Sequence, residues 1–347
     1  MEYPFRNLVF EGGGVKGIAY VGALEELQKR NIVDRIIRVG GTSAGAINAV
    51  LLSLGFSLND MRQIMSSLDF RNFKDASNGI IPNLLRLLNK FGWCKGEFFR
   101  SWIGELIAQK TGNPNSTFED LRGGNKFREL YLIGTNLSTR FAEVFSAQHT
   151  PGMSVVDAVR ISMSFPLFFA AVRDRRKDVF VDGGMFDNYP IKLFDRVCYL
   201  DPETEFTKHA RETAYYTTRN ERVSDLHQRF IYNKETLGFR LDSGREIAMF
   251  WEGAEPQHER IDHFSNYASS LVKALLNVQN SQHLHSDDWH RTVYIDTTGV
   301  GTMDFGLSKE KKQKLIEKGS EGVRKYFEWY DQFDPNDPPM NHPEYTD

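Results

Sequence analysis

The chain has 347 residues, of which 40% are hydrophobic and 26% are charged, and its formal net charge at pH 7 is −3. This is enough apolar material for one large α/β domain or two smaller ones, and the nearly balanced charge gives no general reason to expect nucleic-acid binding. The two cysteines, Cys94 and Cys198, are too few to staple a chain of this length, which favours a reducing compartment.

The start of the chain and its hydropathy pattern bear on where the protein works. The first seven residues, MEYPFRN, contain no basic segment followed by an apolar run, so we expect no signal peptide. No stretch approaches the ~20 apolar residues that a membrane-spanning helix needs. We therefore expect a cytoplasmic protein whose membrane contacts, if it makes any, are peripheral.

Strand-like and helix-like segments alternate along the chain. The apolar run at residues 8–10 ends in a glycine-rich turn, and a helical pattern follows from Ile18 to Arg30. The same order recurs with a predicted strand at 36–39, a glycine-rich turn and a buried helix at 46–52. Further strands are predicted at 130–135, 179–181 and 293–296. This alternation predicts an α/β fold whose mainly parallel sheet is covered on both faces.

Two other regions have a different character. Residues 59–110 are predicted to be mainly helical, and within them residues 80–93 mix Leu, Phe and Trp with Arg and Lys. That mixture fits a lid or membrane-facing segment, but we favour a packed helix with a solvated basic face because this is the usual amphipathic pattern. Residues 202–290 are polar, and residues 308–330 predict a charged helix with Ser308 as its N-cap. The tail at 334–339 is expected to fray.

The turn Gly41-Thr42-Ser43-Ala44-Gly45 matches the pattern G-x-S-x-G. A serine at the apex of a sharp strand-to-helix turn projects its hydroxyl outward, and small neighbours such as Gly41 and Gly45 prevent clashes. The N-terminus of the following helix also favours developing negative charge. The strand before this turn and the Ala-rich helix after it favour Ser43 as a nucleophile over a serine without a catalytic role.

The turn Gly12-Gly13-Gly14-Val15-Lys16-Gly17 can direct backbone N–H groups into one small space, where they would cradle a phosphate or an oxyanion. A P-loop is excluded because the four-residue gap and the Gly-Lys-[Ser/Thr] ending are absent. A dinucleotide fingerprint fits loosely, with Asp34 as its acidic residue, but a second reactive-looking turn follows Asp34. An oxyanion hole formed by Gly12, Gly13 and Gly14 accounts for both turns.

The third turn is Asp182-Gly183-Gly184, which directly follows the strand at 179–181. Taken alone, an Asp-Gly pair favours an Asx-turn or a helix cap. Taken with the other two turns, Asp182 is a carboxylate base at the carboxyl edge of its own strand. A nucleophile, backbone donors and a base at one sheet edge meet the geometric demands of acyl transfer.

These three motifs, in this order, resemble those of the patatin-like phospholipase family. A fourth block, residues 160–169 with the sequence RISMSFPLFF, resembles the small-residue helix and proline-aromatic run of that family. Glu11 stands where the family often has aspartate. The resemblance covers residues 5–200 as the catalytic core, and residues 201–347 are then expected to be a C-terminal extension that completes or caps the same domain.

The resemblance implies a three-layer α/β/α sandwich and hydrolysis of lipid esters by a Ser43–Asp182 dyad, without metal or cofactor. It assigns the oxyanion hole to Gly13 and Gly14, with Gly12 adjacent, and gives Lys16 a supporting role. The glycines that flank the two dyad residues are likewise expected to be supporting residues: Gly41, Gly45, Gly183 and Gly184. The expected partners are a lipid or other acyl ester and a peripheral membrane surface, with no nucleic acid.

Alternatives from other classes stay open. A Ser-Asp-His triad esterase would take its third member from His209, His227, His258 or His263, although all four lie in polar, helix-like stretches. An acyltransferase usually has a histidine beside the nucleophile, whereas Thr42 stands there. A catalytically silent lipid-binding protein would keep the turns for folding alone, but the intact Ser43 and Asp182 speak against it.

Overall fold

The computed structural model describes residues 3–123, 126–201, 206–242, 260–263 and 287–332, together with residues 267, 270, 271 and 274. Its strands are β1 (Asn7–Phe10), β2 (Arg38–Thr42), β3 (Gly92–Cys94), β4 (Glu129–Asn136), β5 (Phe141–Phe145), β6 (Leu167–Phe169), β7 (Val172–Arg173), β8 (Val179–Asp182), β9 (Ala210–Arg211), β10 (Tyr232–Asn233), β11 (Thr236–Asp242) and β12 (Thr292–Asp296). Its α-helices are α1 (Ala19–Lys29), α2 (Ala44–Ser53), α3 (Leu58–Ser67), α4 (Ile80–Lys90), α5 (Glu97–Thr111), α6 (Phe118–Arg122), α7 (Val155–Ser162), α8 (Phe206–His209), α9 (Ala214–Asn220) and α10 (Lys309–Tyr330).

The central sheet has the strand order β12-β11-β1-β2-β4-β8-β7, and β5 pairs with β4. The first five of these strands run parallel, while β5, β8 and β7 add antiparallel pairs at the other end. Helices flank this sheet, which confirms the predicted α/β class with a mainly parallel sheet. The carboxyl ends of β1 and β2 therefore meet at one edge, where ligands of such sheets bind.

The two faces of the sheet bury different apolar cores. Leu8 and Phe10 of β1 point into the larger core, which they share with α1, α2, α7 and α10. Val9 points the other way and packs in a smaller cluster with residues that include Tyr131 and Tyr189. Since successive side chains of a strand alternate between faces, a strand buried on both faces has to be apolar throughout, as β1 is.

Several predicted elements are confirmed, and their bounds differ little from the prediction. The predicted helices at 18–30, 46–52 and 308–330 are α1, α2 and α10, and Ser308 Oγ caps α10 by accepting the N–H of Lys311 at 3.3 Å. The strand predicted at 36–39 begins later and continues through the glycines to Thr42, because residues 38–42 pair with β4. The predicted fraying of residues 334–339 lies outside the described residues.

The prediction that residues 59–110 are mainly helical is confirmed, because α3, α4 and α5 occupy most of this range. These helices are separate, since the chain breaks at Gly79 with φ +96° and at Phe91 with φ 62°, and β3 follows. The polar region 202–290 contains a strand, β11, that the sequence did not reveal, since it carries the charged residues Arg240 and Asp242 in fully buried positions. Those two side chains neutralise each other in a 2.7 Å ion pair.

The helix predicted within residues 80–93 exists as α4, but the prediction that it is a packed helix with a solvated basic face is wrong. Its apolar side chains are the solvated ones: Ile81 is 72% exposed and Leu88 is 65% exposed. Its polar Asn83, in contrast, is 5% exposed. The helix is therefore inverted relative to the usual amphipathic pattern.

Candidate active site

Ser43 stands at the apex of the turn between β2 and α2, in a strained conformation with φ 54° and ψ −122°. A non-glycine residue holds such a positive φ only where its surroundings enforce it. A side chain at Gly41 would come within 2.5 Å of Gly45, and one at Gly45 within 2.3 Å of the Phe10 carbonyl oxygen. The two glycines thus allow the tight turn, which has the geometry of a nucleophile elbow.

The nucleophile turn is anchored by the end of α7. The backbone N–H of Ser43 donates to Ser162 Oγ at 2.9 Å, and Ser43 Oγ lies 3.7 Å from Met163 Sδ, its hydrogen-bond acceptor. A thioether is a weak acceptor, so little holds the hydroxyl in that orientation. The Ser43 hydroxyl is therefore able to rotate toward a stronger acceptor.

Asp182 ends β8 and is 4% exposed. Its Oδ1 accepts the N–H of Gly184 at 2.8 Å, and its own N–H donates to the carbonyl of Ser164 at 2.9 Å. Burial raises the pKa of Asp182 to about 7, against smaller opposing contributions from Gly184 and from the Ser43 hydroxyl. Within the described residues, no donor reaches the buried Oδ2. Asp182 thus has a free acceptor atom and interacts with Ser43.

The glycine-rich loop after β1 differs in one respect from the expected oxyanion hole. The N–H of Gly12 donates to the Asn188 carbonyl at 3.0 Å, so the inclusion of Gly12 among the donors is wrong. Its contribution is space, because a side chain there would come within 3.1 Å of Ser43 Cβ. The N–H groups of Gly13 and Gly14 donate to no atom in the described part of the chain. They are the donors that this loop has to offer.

Buried polar contacts fix the position of this loop. Lys16 Nζ donates to the Leu241 carbonyl at 3.1 Å, which fits the supporting role predicted for it. Glu11, 2% exposed, accepts the N–H of Leu241 at 2.7 Å and Asn188 Nδ2 at 3.2 Å. Burial raises the pKa of Glu11 to about 7, although Arg240 opposes the shift. Sequence reasoning missed Asn188, whose one available signal was its place six residues after Asp182.

The remaining predicted glycine positions lie beside Asp182. A side chain at Gly183 would come within 2.3 Å of the Ile133 carbonyl oxygen on β4, so only glycine allows this close approach. Gly184 supplies the N–H that Asp182 Oδ1 accepts. The segment that follows is tied to the nucleophile turn, because Thr42 Oγ1 donates to the carbonyl of Asp187 at 2.9 Å.

An apolar cavity opens directly beside Ser43. Its lining is almost entirely aromatic, aliphatic and thioether side chains, together with the edge of the glycine-rich loop. The lining residues are Gly14, Val15, Ser43, Ala44, Ile47, Met65, Phe70, Phe73, Met163, Phe165, Phe168, Phe169, Thr302, Met303 and Phe305. Phe168 and Phe305 stack with ring centroids 5.2 Å apart. The cavity can receive an apolar chain whose polar end reaches Ser43.

Of the four histidines considered for a triad, the three that the structure describes lie away from this site. His209 lies with its Nδ1 2.9 Å from Glu235 Oε1, and His227 and His263 are exposed. None of these three lines the cavity beside Ser43. His258 lies outside the described residues.

The described part of the chain can be assessed for metal binding and for membrane crossing. Within that part of the chain, no group of three or more His, Cys, Asp or Glu side chains is arranged to hold a metal ion. Nor does any described helix combine the length and the apolar character that crossing a bilayer requires.

Comparison with known proteins places the chain in a family. The sequence model of the patatin-like phospholipase family matches residues 8–195, more than half of the chain. The chain belongs to the patatin-like phospholipase family. The match contains all three glycine-rich turns and the RISMSFPLFF block, and the family is one of lipid hydrolases.

Relatives of this patatin-like protein occur in bacteria and viruses. It is 34% identical to the uncharacterized protein YqhO of Bacillus subtilis over 90% of this chain and 94% of that protein. It is 34% identical to the uncharacterized protein R571 of Acanthamoeba polyphaga mimivirus, but that match covers 56% of this chain and 63% of the viral protein. A protein of invertebrate iridescent virus 6 named probable lipid hydrolase 463L is 23% identical over 54% of this chain and 63% of its own length.

Among solved structures, VipD from Legionella pneumophila shares the fold. The two structures superpose with a TM-score of 0.55 and 18% sequence identity, over 94% of this chain and 67% of VipD. At this identity the likeness concerns the fold alone.

Proposed function

We propose that this protein is a serine carboxylic-ester hydrolase that cleaves fatty-acyl esters, as a phospholipase A, lysophospholipase or carboxylesterase. Ser43 is the nucleophile and Asp182 the general base in this proposal. The observation that carries it is the strained Ser43 at the edge of an apolar cavity, next to a buried carboxylate with a free oxygen. The name of its relative from invertebrate iridescent virus 6, a probable lipid hydrolase, supports the substrate class.

In the acylation step, Ser43 Oγ attacks the ester carbonyl while its proton passes to Asp182 Oδ2. The carbonyl π electrons move onto oxygen, and the N–H groups of Gly13 and Gly14 stabilise that oxyanion. Such a donor contributes about 3 kcal/mol to transition-state stabilisation in well-studied hydrolases. When the carbonyl reforms, the ester C–O bond breaks and the alcohol leaves with the proton from Asp182. An acyl group remains on Ser43.

Deacylation repeats these steps with water. Asp182 accepts a proton from water as the hydroxide attacks the acyl carbonyl, and Ser43 Oγ leaves with that proton to release the fatty acid. A carboxylate of ordinary pKa is a weak base, but burial raises the pKa of Asp182 to about 7. A base is most effective when its pKa lies near the working pH, so the buried carboxylate suits this role without a histidine.

The cavity supports an acyl chain as the group that binds beside Ser43. Its lining comes from the RISMSFPLFF block, from residues near α3 and from the loop after β12. Each methylene that leaves water for such a lining contributes about 0.8 kcal/mol to binding. Longer acyl chains are therefore expected to bind more tightly than acetyl groups, up to the length that the cavity admits.

The first experiment measures hydrolysis of short- and long-chain aryl esters and of a phospholipid. We expect Ser43→Ala and Asp182→Asn to abolish turnover in folded protein, and the alanine variants of His209, His227, His258 and His263 to retain it. Ser53→Ala is the matched control, because Ser53 is buried and donates to the Arg128 carbonyl at 2.7 Å, away from the cavity. A histidine as essential as Ser43 would replace the dyad with a triad.

A second measurement tests the nucleophile without turnover. A long-chain alkyl fluorophosphonate should phosphonylate Ser43, and peptide mass spectrometry should locate the adduct there and find none in Ser43→Ala. Labelling without hydrolysis would identify Ser43 as a reactive nucleophile but would contradict the proposed hydrolase activity. Added alcohol that captures the acyl group in preference to water would assign an acyltransferase, and a protein that binds lipid with neither labelling nor turnover would be the silent lipid-binding protein.

A further inference from the structure

The polar side chains of the inverted helix α4 contact the chain segments that flank it. Asn83 accepts the N–H of Ser77 and donates to the carbonyls of Ser77 and Gly79, all at 2.8 Å. Arg86 donates to the Trp93 carbonyl at 2.6 Å and to Asn83 Oδ1 at 2.9 Å. These contacts place the polar stripe of the helix inward and leave its apolar stripe without protein to cover it among the described residues.

The outward stripe is continuous. Ile81, Leu84, Leu85 and Leu88 recur at the spacing of one helix face, and all four are exposed. The exposed Phe91 and Trp93 extend this surface beyond the end of the helix. We name these six residues the α4 apolar surface. A contiguous apolar surface of this kind on a folded protein marks a site that another apolar partner covers.

Cations adjoin the α4 apolar surface, although the chain as a whole has a net charge of −3. Lys90 is exposed at the end of α4, and its carbonyl accepts the N–H of Ala171 at 2.9 Å. The hairpin turn that follows, residues 173–177, has the sequence RDRRK with four cations and one carboxylate, all exposed. Arg173 lies over the Phe91 ring at 5.3 Å. An apolar stripe beside clustered cations is the pattern of an interfacial helix on anionic lipid.

The α4 apolar surface is also connected to the candidate active site. The strand β3 follows α4 directly and pairs with β6, with Gly92 opposite Leu167 and Cys94 opposite Phe169. Phe169 lines the cavity beside Ser43. The β3–β6 strand pair therefore connects a partner bound to α4 with the cavity wall.

We propose that the α4 apolar surface and the cations of residues 173–177 dock this protein onto an anionic phospholipid surface. Ile81, Leu84, Leu85 and Leu88 enter the boundary between head groups and acyl chains, and the cations contact the anionic head groups. The purpose of this docking rests on the proposed function, because it would place the cavity beside a source of acyl esters. The docking itself requires no catalysis.

Vesicle flotation tests the proposal directly, on the full chain with Ser43→Ala so that no lipid is consumed. The vesicles contain phosphatidylcholine alone or equimolar phosphatidylcholine and phosphatidylglycerol. We expect the protein to float with the anionic vesicles, and Leu84→Ser combined with Leu88→Ser to weaken binding about tenfold or more. The matched control is Phe141→Ser with Leu226→Ser, two residues elsewhere in the chain that are at least as exposed as Leu84 and Leu88, and this variant should float like the parent.

The charged part of the surface has its own variant. Arg175→Gln with Arg176→Gln should weaken binding to anionic vesicles and make the residual binding less sensitive to salt, while binding to phosphatidylcholine alone stays unchanged. Arg122→Gln with Arg222→Gln, both exposed elsewhere, serves as the control. Equal losses from both pairs would overturn the assignment of these cations.

Flotation that is unchanged by the Leu84 and Leu88 substitutions would overturn the proposal. The proposal would also be overturned if the wild-type protein bound no vesicles and formed a dimer that the same substitutions turned into a monomer. The partner of the α4 apolar surface would then be a second copy of this chain. Hydrolysis separates docking from catalysis: with Ser43 intact, Leu84→Ser combined with Leu88→Ser should lose activity on vesicles and keep activity on a soluble acetyl aryl ester. If the protein floats with the vesicles but hydrolyses no ester, the docking surface is supported and the proposed function is contradicted.

Discussion

The backbone N–H of Ser43 donates to Ser162 Oγ at 2.9 Å, which ties the nucleophile turn to the end of α7. Two residues later the carbonyl of Ser164 accepts the N–H of Asp182, also at 2.9 Å. The buried Arg160 fixes this segment by donating to the carbonyls of Lys95 and Ala170, both at 2.8 Å. One short segment therefore holds both residues of the proposed dyad and sets their relative position.

Removing the Ser162 hydroxyl should slow turnover without weakening substrate binding. Ser162→Ala leaves the Ser43 N–H without its partner, at a cost of about 1–3 kcal/mol in the free energy of unfolding. We expect kcat to fall about tenfold or more, since small displacements of a nucleophile are costly, while KM for a long-chain ester stays close to wild type. Ser53→Ala removes a buried serine hydrogen bond elsewhere and should lower stability but not kcat. A drop in kcat for both variants would mean that a general loss of stability, and not the contact between Ser162 and Ser43, lowers turnover.

The pH dependence of hydrolysis should report the ionisation of Asp182. The base must be ionised to accept the Ser43 proton, and burial raises its pKa to about 7. We therefore expect kcat/KM to fall as the pH is lowered through about 7 and to level off above it. Burial also raises the pKa of Asp187 to about 7. Asp187→Asn is thus the control, and a midpoint that disappears in this variant would assign the profile to Asp187.

The same burial predicts that Asp182 destabilises the folded protein at high pH. Its folded pKa of about 7 lies above the ordinary value of 3.8, so its contribution to stability is fully present below about pH 3.8 and is lost as the pH rises through 7. Asp182→Asn should therefore raise the free energy of unfolding at pH 8, by at most about 4 kcal/mol. Urea unfolding at several pH values measures this. If the stability advantage of Asp182→Asn over wild type does not increase between pH 5 and pH 8, the carboxylate is well solvated and the prediction is wrong.

The sequence predicted the parts of the site that local motifs encode. Each motif combines a strand end with small residues, so the turn and its exposed side chain follow from a few neighbouring positions. Ser43 and Asp182 accordingly lie at the ends of β2 and β8, as expected. Ser162 and Asn188 were missed because they contact Ser43 and Gly12, respectively, from positions more than 100 residues away, and nothing local marks a serine or asparagine for such a contact.

The misjudged elements have a related cause. The mixture of apolar and polar residues in α4 predicts an amphipathic helix but does not say which face points inward, and the polar face is the one that contacts the flanking segments. The charges of Arg240 and Asp242 concealed β11, because burial of an ion pair depends on partners that a sequence pattern does not display. The fold class was accessible, since it needs only the alternation of strands and helices.

Adding a methyl group to the glycine-rich loop should remove oxyanion stabilisation. Gly14 has φ +57°, and a side chain there would come within 2.1 Å of the Thr302 carbonyl oxygen. Gly14→Ala must therefore shift the loop and misdirect its N–H groups, which we expect to lower kcat about 100-fold or more. Gly152→Ala, where a side chain meets nothing within 4 Å, should leave kcat unchanged. Full activity in Gly14→Ala would place the oxyanion donors elsewhere.

The final prediction concerns acyl-chain length and the Phe168–Phe305 pair. Phe168 stacks on Phe305 and both rings line the cavity, so Phe168→Ala removes a ring face that an acyl chain can contact. Since each lost methylene contact costs about 0.8 kcal/mol, we expect kcat/KM for a long-chain aryl ester to fall about tenfold while the value for the acetyl ester changes little. Phe141→Ala, which removes an exposed ring on β5, should alter neither value. Equal losses on both esters in Phe168→Ala would mean that the ring shapes the catalytic turn and does not contact the acyl chain.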